Sequence, residues 1–421
     1  MKRALFGYQF TGIVAVSALF AQSAAAQGHQ AQGPRYTITD LGPASLSNPA
    51  NPIAITNNDL IATAEPAANG AWHASIQFFK LQIDLAKAGG FGGPNSMAWD
   101  VNEWGQAVGE AETADLDPNK EDFCVFGTQR VCHPFIWQNG VMSALPRLKD
   151  ASGNAGRNAV AKGINNLGQV VGMAENTTAD STCPPYNPSP TALQFQYFQF
   201  KPVMWTNGRV QELPTLGNEP DGIAFKINDR GQAAGATGTC TGLTNLGTYL
   251  YGLHATLWQN GSAIDLGNLG GVAPGWGNWA YDINNAGHVV GTSGTSDGSF
   301  HAFFWSPKTL IKDLGTIPAN GTVPADAASI ALGINEIGDV TGISFPADPN
   351  ASPRAFLRLH GGTMVDLNSL VPANSSLYLF SACAINSRGE IVGIAVDGQG
   401  NAHGYLATPS SSAAQASILE R

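Results

Sequence analysis

The chain has little charge: Asp, Glu, Lys and Arg make up only 12% of its 421 residues, about half the usual share. Lys and Arg number 21 against 31 acidic residues, and the formal net charge is −10. That balance argues against nucleic acid, whose affinity grows with the phosphates that Lys and Arg neutralise. Long apolar runs are missing as well. The stretch Thr11–Phe20 is too short to span a bilayer, and nothing later approaches that length, so no membrane span is expected. No strand–GxGxxG–helix context, nucleophile elbow or HExxH motif is present, which leaves no cofactor or catalytic residue to name. Cysteine is scarce too, with five residues.

Glycine and proline are abundant, at 50 and 25 residues, a composition suited to many short strands and turns. At the N-terminus, Lys2 and Arg3 precede the apolar stretch, and Ala24-Ala25-Ala26 offers small residues for cleavage. Residues 1–26 therefore read as a secretory signal, followed by a linker over 27–35. Its removal takes the net charge from −10 to −12. The expected location is secreted or periplasmic, where cysteines oxidise. Cys124 and Cys132 flank a short segment and are expected to staple a loop; Cys183 and Cys240 occupy matching places in neighbouring repeats and form the second expected pair. Cys383 lies in an apolar run and reads as a buried free thiol.

One unit recurs: an apolar residue, Asn, two variable residues, Gly, and an apolar run ending in Gly. Clear copies are VNEWGQAVG (101–109), INNLGQVVG (164–172), INDRGQAAG (227–235), INNAGHVVG (283–291), INEIGDVTG (334–342) and INSRGEIVG (385–393), with a degenerate copy at 55–63. Their key positions, Thr56, Asn102, Asn165, Asn228, Asn284, Asn335 and Asn386, are spaced as propeller blades with insertions would be. Asn followed three residues later by Gly is turn chemistry, because the Asn side chain caps the backbone and Gly takes positive φ. A third strand follows each hairpin, as in HPFIWQNG (133–140) and HATLWQNG (254–261), then a short fourth such as IDLG (264–267). Each repeat is thus a four-stranded antiparallel blade.

The first three strands occur seven times, but a fourth follows only six copies. The missing strand stands at the other end, as Tyr36–Gly42. The expectation is an all-β, seven-bladed β-propeller over residues 36–408, closed by pairing Tyr36–Gly42 with His403–Leu406 so that no edge is left free. The Ser/Ala-rich tail, 409–421, reads as disordered. The His-Ala-Phe-x-Trp units and DLG ends (Asp265-Leu266-Gly267) resemble the HAF-repeat family of predicted extracellular bacterial proteins. That resemblance spans about residues 36–408 and implies export and repeat architecture, with no established activity. Lys201 and Arg354 depart from it where His is expected.

The connectivity puts tight turns on one face and long loops on the other, and function is expected on the long-loop face. Trp276, Asn278, Trp279, Tyr249 and Tyr251 are the candidate ligand residues there, with Tyr186, Tyr197 and Phe198 nearby. Aromatic faces beside hydrogen-bonding groups suit carbohydrate; the alternative is that they cover the insertions as a small satellite core. His73, His133, His254, His301 and His403 recur once per blade, too far apart to share a metal ion, and a within-blade contact such as His254 with Asp265 is expected. Asp100 and Asp282 occupy equivalent inner-strand positions, but Gly163, Lys226 and Gly333 stand there in other copies, so no acidic ring forms. The reading is a non-catalytic propeller that binds a glycan or an extracellular protein. A polysaccharide hydrolase or lyase, or a structural envelope component, are the alternatives.

Overall fold

The computed structural model describes residues 35–44, 54–67, 69–78, 81–87, 90–183, 197–240, 250–271, 277–321 and 323–410. The expected signal segment, nearly all of the linker and most of the tail lie outside these residues, as do Tyr186, Tyr249 and Trp276. Seven antiparallel sheets form a seven-bladed propeller. The innermost strands, blade one to blade seven, are Ala54–Ile55, Gly92–Val101, Ala159–Ile164, Asp221–Ile227, Trp279–Ile283, Ala328–Ile334 and Leu377–Ile385. Blade five carries an extra two-residue strand, Gly270–Gly271, against Gly294 and Thr295. Among the described residues, one short 3-10 turn, Leu367–Leu370, is the only helical element, and no helix is long and apolar enough to cross a membrane.

Blade seven closes as the strand count requires. Tyr36–Pro43 is its outermost strand and pairs antiparallel with Ala402–Pro409, from Tyr36 opposite Pro409 to Pro43 opposite His403. Tyr36 and Tyr405 are buried in the core of this blade. The two ends of the ring are thereby held by a full strand ladder, and that edge is left unexposed.

The repeat unit reads directly as local structure. In blade two, Gly105 N–H donates to Asn102 O at 3.0 Å, with Gly105 at φ +74°, a conformation glycine adopts without steric cost. Asn102 Oδ1 accepts from Trp104 N at 3.1 Å and Gln106 N at 3.0 Å. The final Gly of the unit has a different reason. A Cβ on Gly109 would lie 1.9 Å from Met97 O and 2.9 Å from Cε1 of Phe135. The second strand therefore runs close to the first, and the Phe of the His-Pro-Phe unit packs on the gap. Gly291 with Phe303 and Gly393 with Tyr405 repeat the arrangement. The Trp of the third strand locks blade to blade: Trp205 Nε1 donates to Pro146 O and Trp258 Nε1 to Pro214 O, both at 2.7 Å. Both rings are buried, so their apolar bodies fill the space between blades while the N–H stays satisfied.

Both expected disulfides form, with Cα separations of 5.8 Å for Cys124–Cys132 and 4.8 Å for Cys183–Cys240. Cys383 is free and half-buried, and burial pushes its thiol up to about 11.

Candidate functional site

The seven inner turns meet around the axis on the short-turn face, and their Asn side chains join the blades. Asn102 Nδ2 donates to Asn165 O at 3.0 Å, Asn165 to Asn228 O at 2.9 Å, Asn228 to Asn284 O at 3.0 Å and Asn284 to Asn335 O at 3.0 Å. Asn335 donates to Asn386 O at 3.2 Å, and Asn386 to Thr56 O at 3.1 Å. Six of the seven blade junctions carry this bond; at the junction from blade one to blade two, Thr56 has no amide to offer. There Asn57 takes over, donating its backbone N–H at 2.9 Å and its Nδ2 at 3.0 Å to Glu103 Oε1. The sequence identified these Asn residues as turn formers but not as links between blades.

The residue after the Asn builds a second set of links between blades. Glu103 N donates to Asn166 Oδ1 (3.0 Å), Asn166 N to Asp229 Oδ1 (2.8 Å), Asp229 N to Asn285 Oδ1 (2.8 Å) and Asn285 N to Glu336 Oε2 (3.0 Å). The two sets of links enclose an axial cavity of about 150 Å³, floored by Ile55, Val101, Ile164, Ile227 and Ile283 and rimmed by Glu103, Asp229 and Glu336. Burial, together with Asp229, raises the pKa of Glu336. Next to Glu103 in the same turn is Trp104, 75% exposed, with its Nε1 fixed at 2.9 Å on the backbone oxygen of Asn166, a residue that lines the cavity. Leu167, also exposed, occupies the same turn position in the next blade.

Deeper along the axis, the innermost strands of blades two to seven each carry a bulge between Asn−4 and Asn−2 of the repeat; blades two and seven carry a second irregularity upstream. The extra residues at that position are Trp99, Lys162, Phe225, Tyr281, Leu332 and Cys383. All six are half-buried although they stand on the innermost strands, so they line the central channel. A bulge re-aims one side chain, and here the same device points six different chemistries at one axis. Phe225 and Tyr281 contact across blades at 5.3 Å between ring centroids, and Lys162 Nζ sits over the Trp99 ring.

The inner-strand Asp residues are engaged in structure. Asp100 Oδ1 pairs with Lys226 Nζ at 2.7 Å, while its Oδ2 accepts from Ile164 N at 3.0 Å. Asp282 accepts from Ile283 N and Ile334 N at 2.8 and 2.9 Å. Burial raises Asp282 to about 6, against the pull of Lys226. Burial opposes the charge on Lys226, but Asp100 and Asp282 outweigh it and its pKa rises.

On the long-loop face, Asn278 and Trp279 are buried rather than exposed. Asn278 Nδ2 donates to Leu253 O at 2.9 Å and its Oδ1 accepts from Ser293 Oγ and Gly294 N, at 2.8 and 3.1 Å. Its amide joins the third strand of blade four to the second strand of blade five. Trp279 packs on Tyr281 and Phe225. The backbone of Tyr251 lies in the third strand of blade four; Tyr249 and Trp276 fall outside the described residues. Tyr197 and Phe198 pack edge to face. Between blades two and three this face buries acids: Asn158 Nδ2 bridges Asp117 Oδ2 (3.0 Å) and Glu175 Oε1 (2.8 Å), and Glu121 accepts from Tyr197 N at 2.5 Å. Burial, then Glu175 and Asp117, raise Glu121 far above the carboxylate range.

The recurring His residues make contacts within their own blades. Nδ1 of His73, His254 and His301 lies 2.9 Å from Asp84, Asp265 and Asp313, and His403 meets Asp40 of the closing strand at 3.0 Å. Arg354, in the His position of blade six, reaches Asp366 at 3.5 Å. His133 instead packs on Phe91.

The chain matches no family model and no curated protein. Among solved structures it is similar to two of an acylaminoacyl peptidase from Pyrococcus horikoshii, one uncomplexed and one in an orthorhombic crystal form. Identity is 10% and 11%, with a TM-score of 0.41 for both. The matches cover 89% and 86% of this chain but 55% and 52% of the peptidase chains, so this chain spans about half their length. At that identity and score the likeness carries no argument about chemistry.

Proposed function

We propose that the protein is an exported, non-catalytic binding module that holds a glycan on its short-turn face, across the axial cavity. Trp104 carries this reading. A ring 75% exposed, pinned by its own N–H and set beside a cavity rimmed with carboxylates and amides, offers what a sugar uses: a flat apolar surface for its C–H face and acceptors for its hydroxyls. Export is supported by the apolar N-terminal segment, by two disulfides, which persist in oxidising compartments, and by the resemblance to HAF-repeat proteins. Binding is favoured over polysaccharide cleavage because Asp100 holds Lys226 and Asp282 caps two backbone N–H groups, so neither stands as a free acid–base pair.

A glycan-array screen followed by calorimetry on the strongest hit tests the proposal. Trp104→Ala should weaken binding at least tenfold, with the melting temperature unchanged because the side chain is mostly in solvent. Undiminished affinity in that variant, or no glycan bound by the intact protein, would overturn it.

A further inference from the structure

Two lysines project from the inner strands of neighbouring blades, and the fold treats them oppositely. Lys226 is held by Asp100 at 2.7 Å and has Asp282 beside it; it is a structural cation. Lys162, one repeat position away on blade three, has no carboxylate oxygen of the described residues within ion-pair distance and lies on the face of Trp99, 2.9 Å from the ring centroid. An ammonium gains something from an aromatic face, yet its three N–H groups find no oxygen there. The acid that acts on it is Glu110, on the second strand of blade two. Glu110 is buried beside the Cys124–Cys132 disulfide, its Oε2 3.8 Å from Cys132 Sγ, with Glu112 and Asp122 also acting on it. Around them stand the apolar rings of Trp99, Phe126, Phe225 and Tyr281.

We propose that Lys162 is a nucleophilic amine that captures a small aldehyde carrying a flat apolar body inside the axial channel, with Glu110 moving the protons. The amine nitrogen attacks the carbonyl carbon, the C=O π pair goes to oxygen, and Glu110 gives that oxygen a proton and takes one from the nitrogen, giving a carbinolamine. Glu110 donates a proton to the hydroxyl, which leaves as water as the C=N bond forms, and recovers a proton from nitrogen. The sum is amine plus aldehyde to imine plus water, with no oxidation or reduction. The surroundings suit this chemistry, since desolvation activates a lysine for imine formation. Burial, against the attraction of Glu110, brings Lys162 down to about 7. Burial, against the attraction of Lys162, brings Glu110 up to about 7. Acid and base are matched near neutrality, whereas the paired Lys226 stays protonated.

The full-length protein, disulfides intact, would be incubated with benzaldehyde and sodium cyanoborohydride, which reduces any imine to a stable benzylamine, and then mapped by peptide mass spectrometry. At pH 7 a single adduct on Lys162 is expected, with Lys226 unmodified. Adduct formation should rise with pH around a midpoint near 7, Lys162→Arg should lose it, and Glu110→Gln should slow it severalfold while leaving its position unchanged. Adducts spread over surface lysines, an unmodified Lys162, or a Lys162 adduct that forms only above pH 9 would each overturn the proposal. The wild-type map and pH profile decide the matter even where a variant folds poorly.

Discussion

Seven turns of nearly the same sequence make the short-turn face, whereas the connections on the opposite face differ in length and content from blade to blade. The difference shows in how each face handles carboxylates. On the short-turn face Glu103 and Asp229 accept amide N–H groups from the next or preceding blade at the rim of an open cavity. On the long-loop face, Asp117, Glu121 and Glu175 are buried together around Asn158. A repeated turn satisfies its polar groups by symmetry and leaves its outer atoms available. An insertion has no neighbour of matching shape, so it must satisfy itself, and it does so by burying a private polar network.

That contrast can be broken in order of expected effect. Deleting residues 36–43 removes the one strand both faces depend on. It should abolish the single cooperative unfolding transition in calorimetry, and an unchanged melting profile would refute closure by this strand. Next, Asn228→Ala removes the acceptor of Arg230 N and Gln232 N and the donor to Gln232 Oε1 and Asn284 O. With that site buried, the loss should be about 3 kcal/mol in urea denaturation, against less than about 0.5 kcal/mol for Leu116→Ala, an exposed residue that flanks a long loop. Equal costs would mean that the inter-blade ring has no special role.

The smallest effect concerns pH. Burial holds Glu110 up near 7 and Glu121 higher still. A carboxyl whose folded pKa is raised binds its proton more tightly in the folded state. Its stabilising contribution is complete below the ordinary value near 4.5 and is lost as pH climbs through the folded value. The melting temperature should therefore fall between pH 5 and pH 7, on the order of 5 °C, and Glu121→Gln should flatten that slope. A melting temperature that rises over this range would show that these acids are ionised in the folded protein.

The architecture was legible because it rests on local rules repeated seven times: Asn-x-x-Gly makes a turn wherever it stands, and counting strands places Tyr36–Gly42. The His–Asp contacts followed from strand register for the same reason. What escaped was everything that depends on two blades at once. Asn284 has its turn role in its own sequence, but its bond to Asn335 O exists only after blades five and six are side by side. The last Gly of each unit gave no local signal, because the atom it avoids belongs to another strand. Asn278 and Trp279 looked like loop residues and are buried: Asn278 bonds Leu253 of blade four and Ser293 and Gly294 of blade five, and Trp279 packs on Phe225 and Tyr281. Trp104 drew no attention in sequence because a variable turn position gives no measure of exposure.

The closing strand also sets an order of events. Tyr36–Pro43 is synthesised long before Ala402–Pro409, so the first strand to emerge is among the last to gain a partner. Contacts this distant along the chain form slowly, and until they form the nascent ring keeps an open edge on which other chains can pair. Every polypeptide that stops short of residue 402 stays in that state. The ring therefore acts as a check on its own completeness: a chain that reaches residue 409 pairs Tyr36–Pro43 with Ala402–Pro409, and a truncated one leaves Tyr36–Pro43 without its partner strand, open to chaperones and proteases.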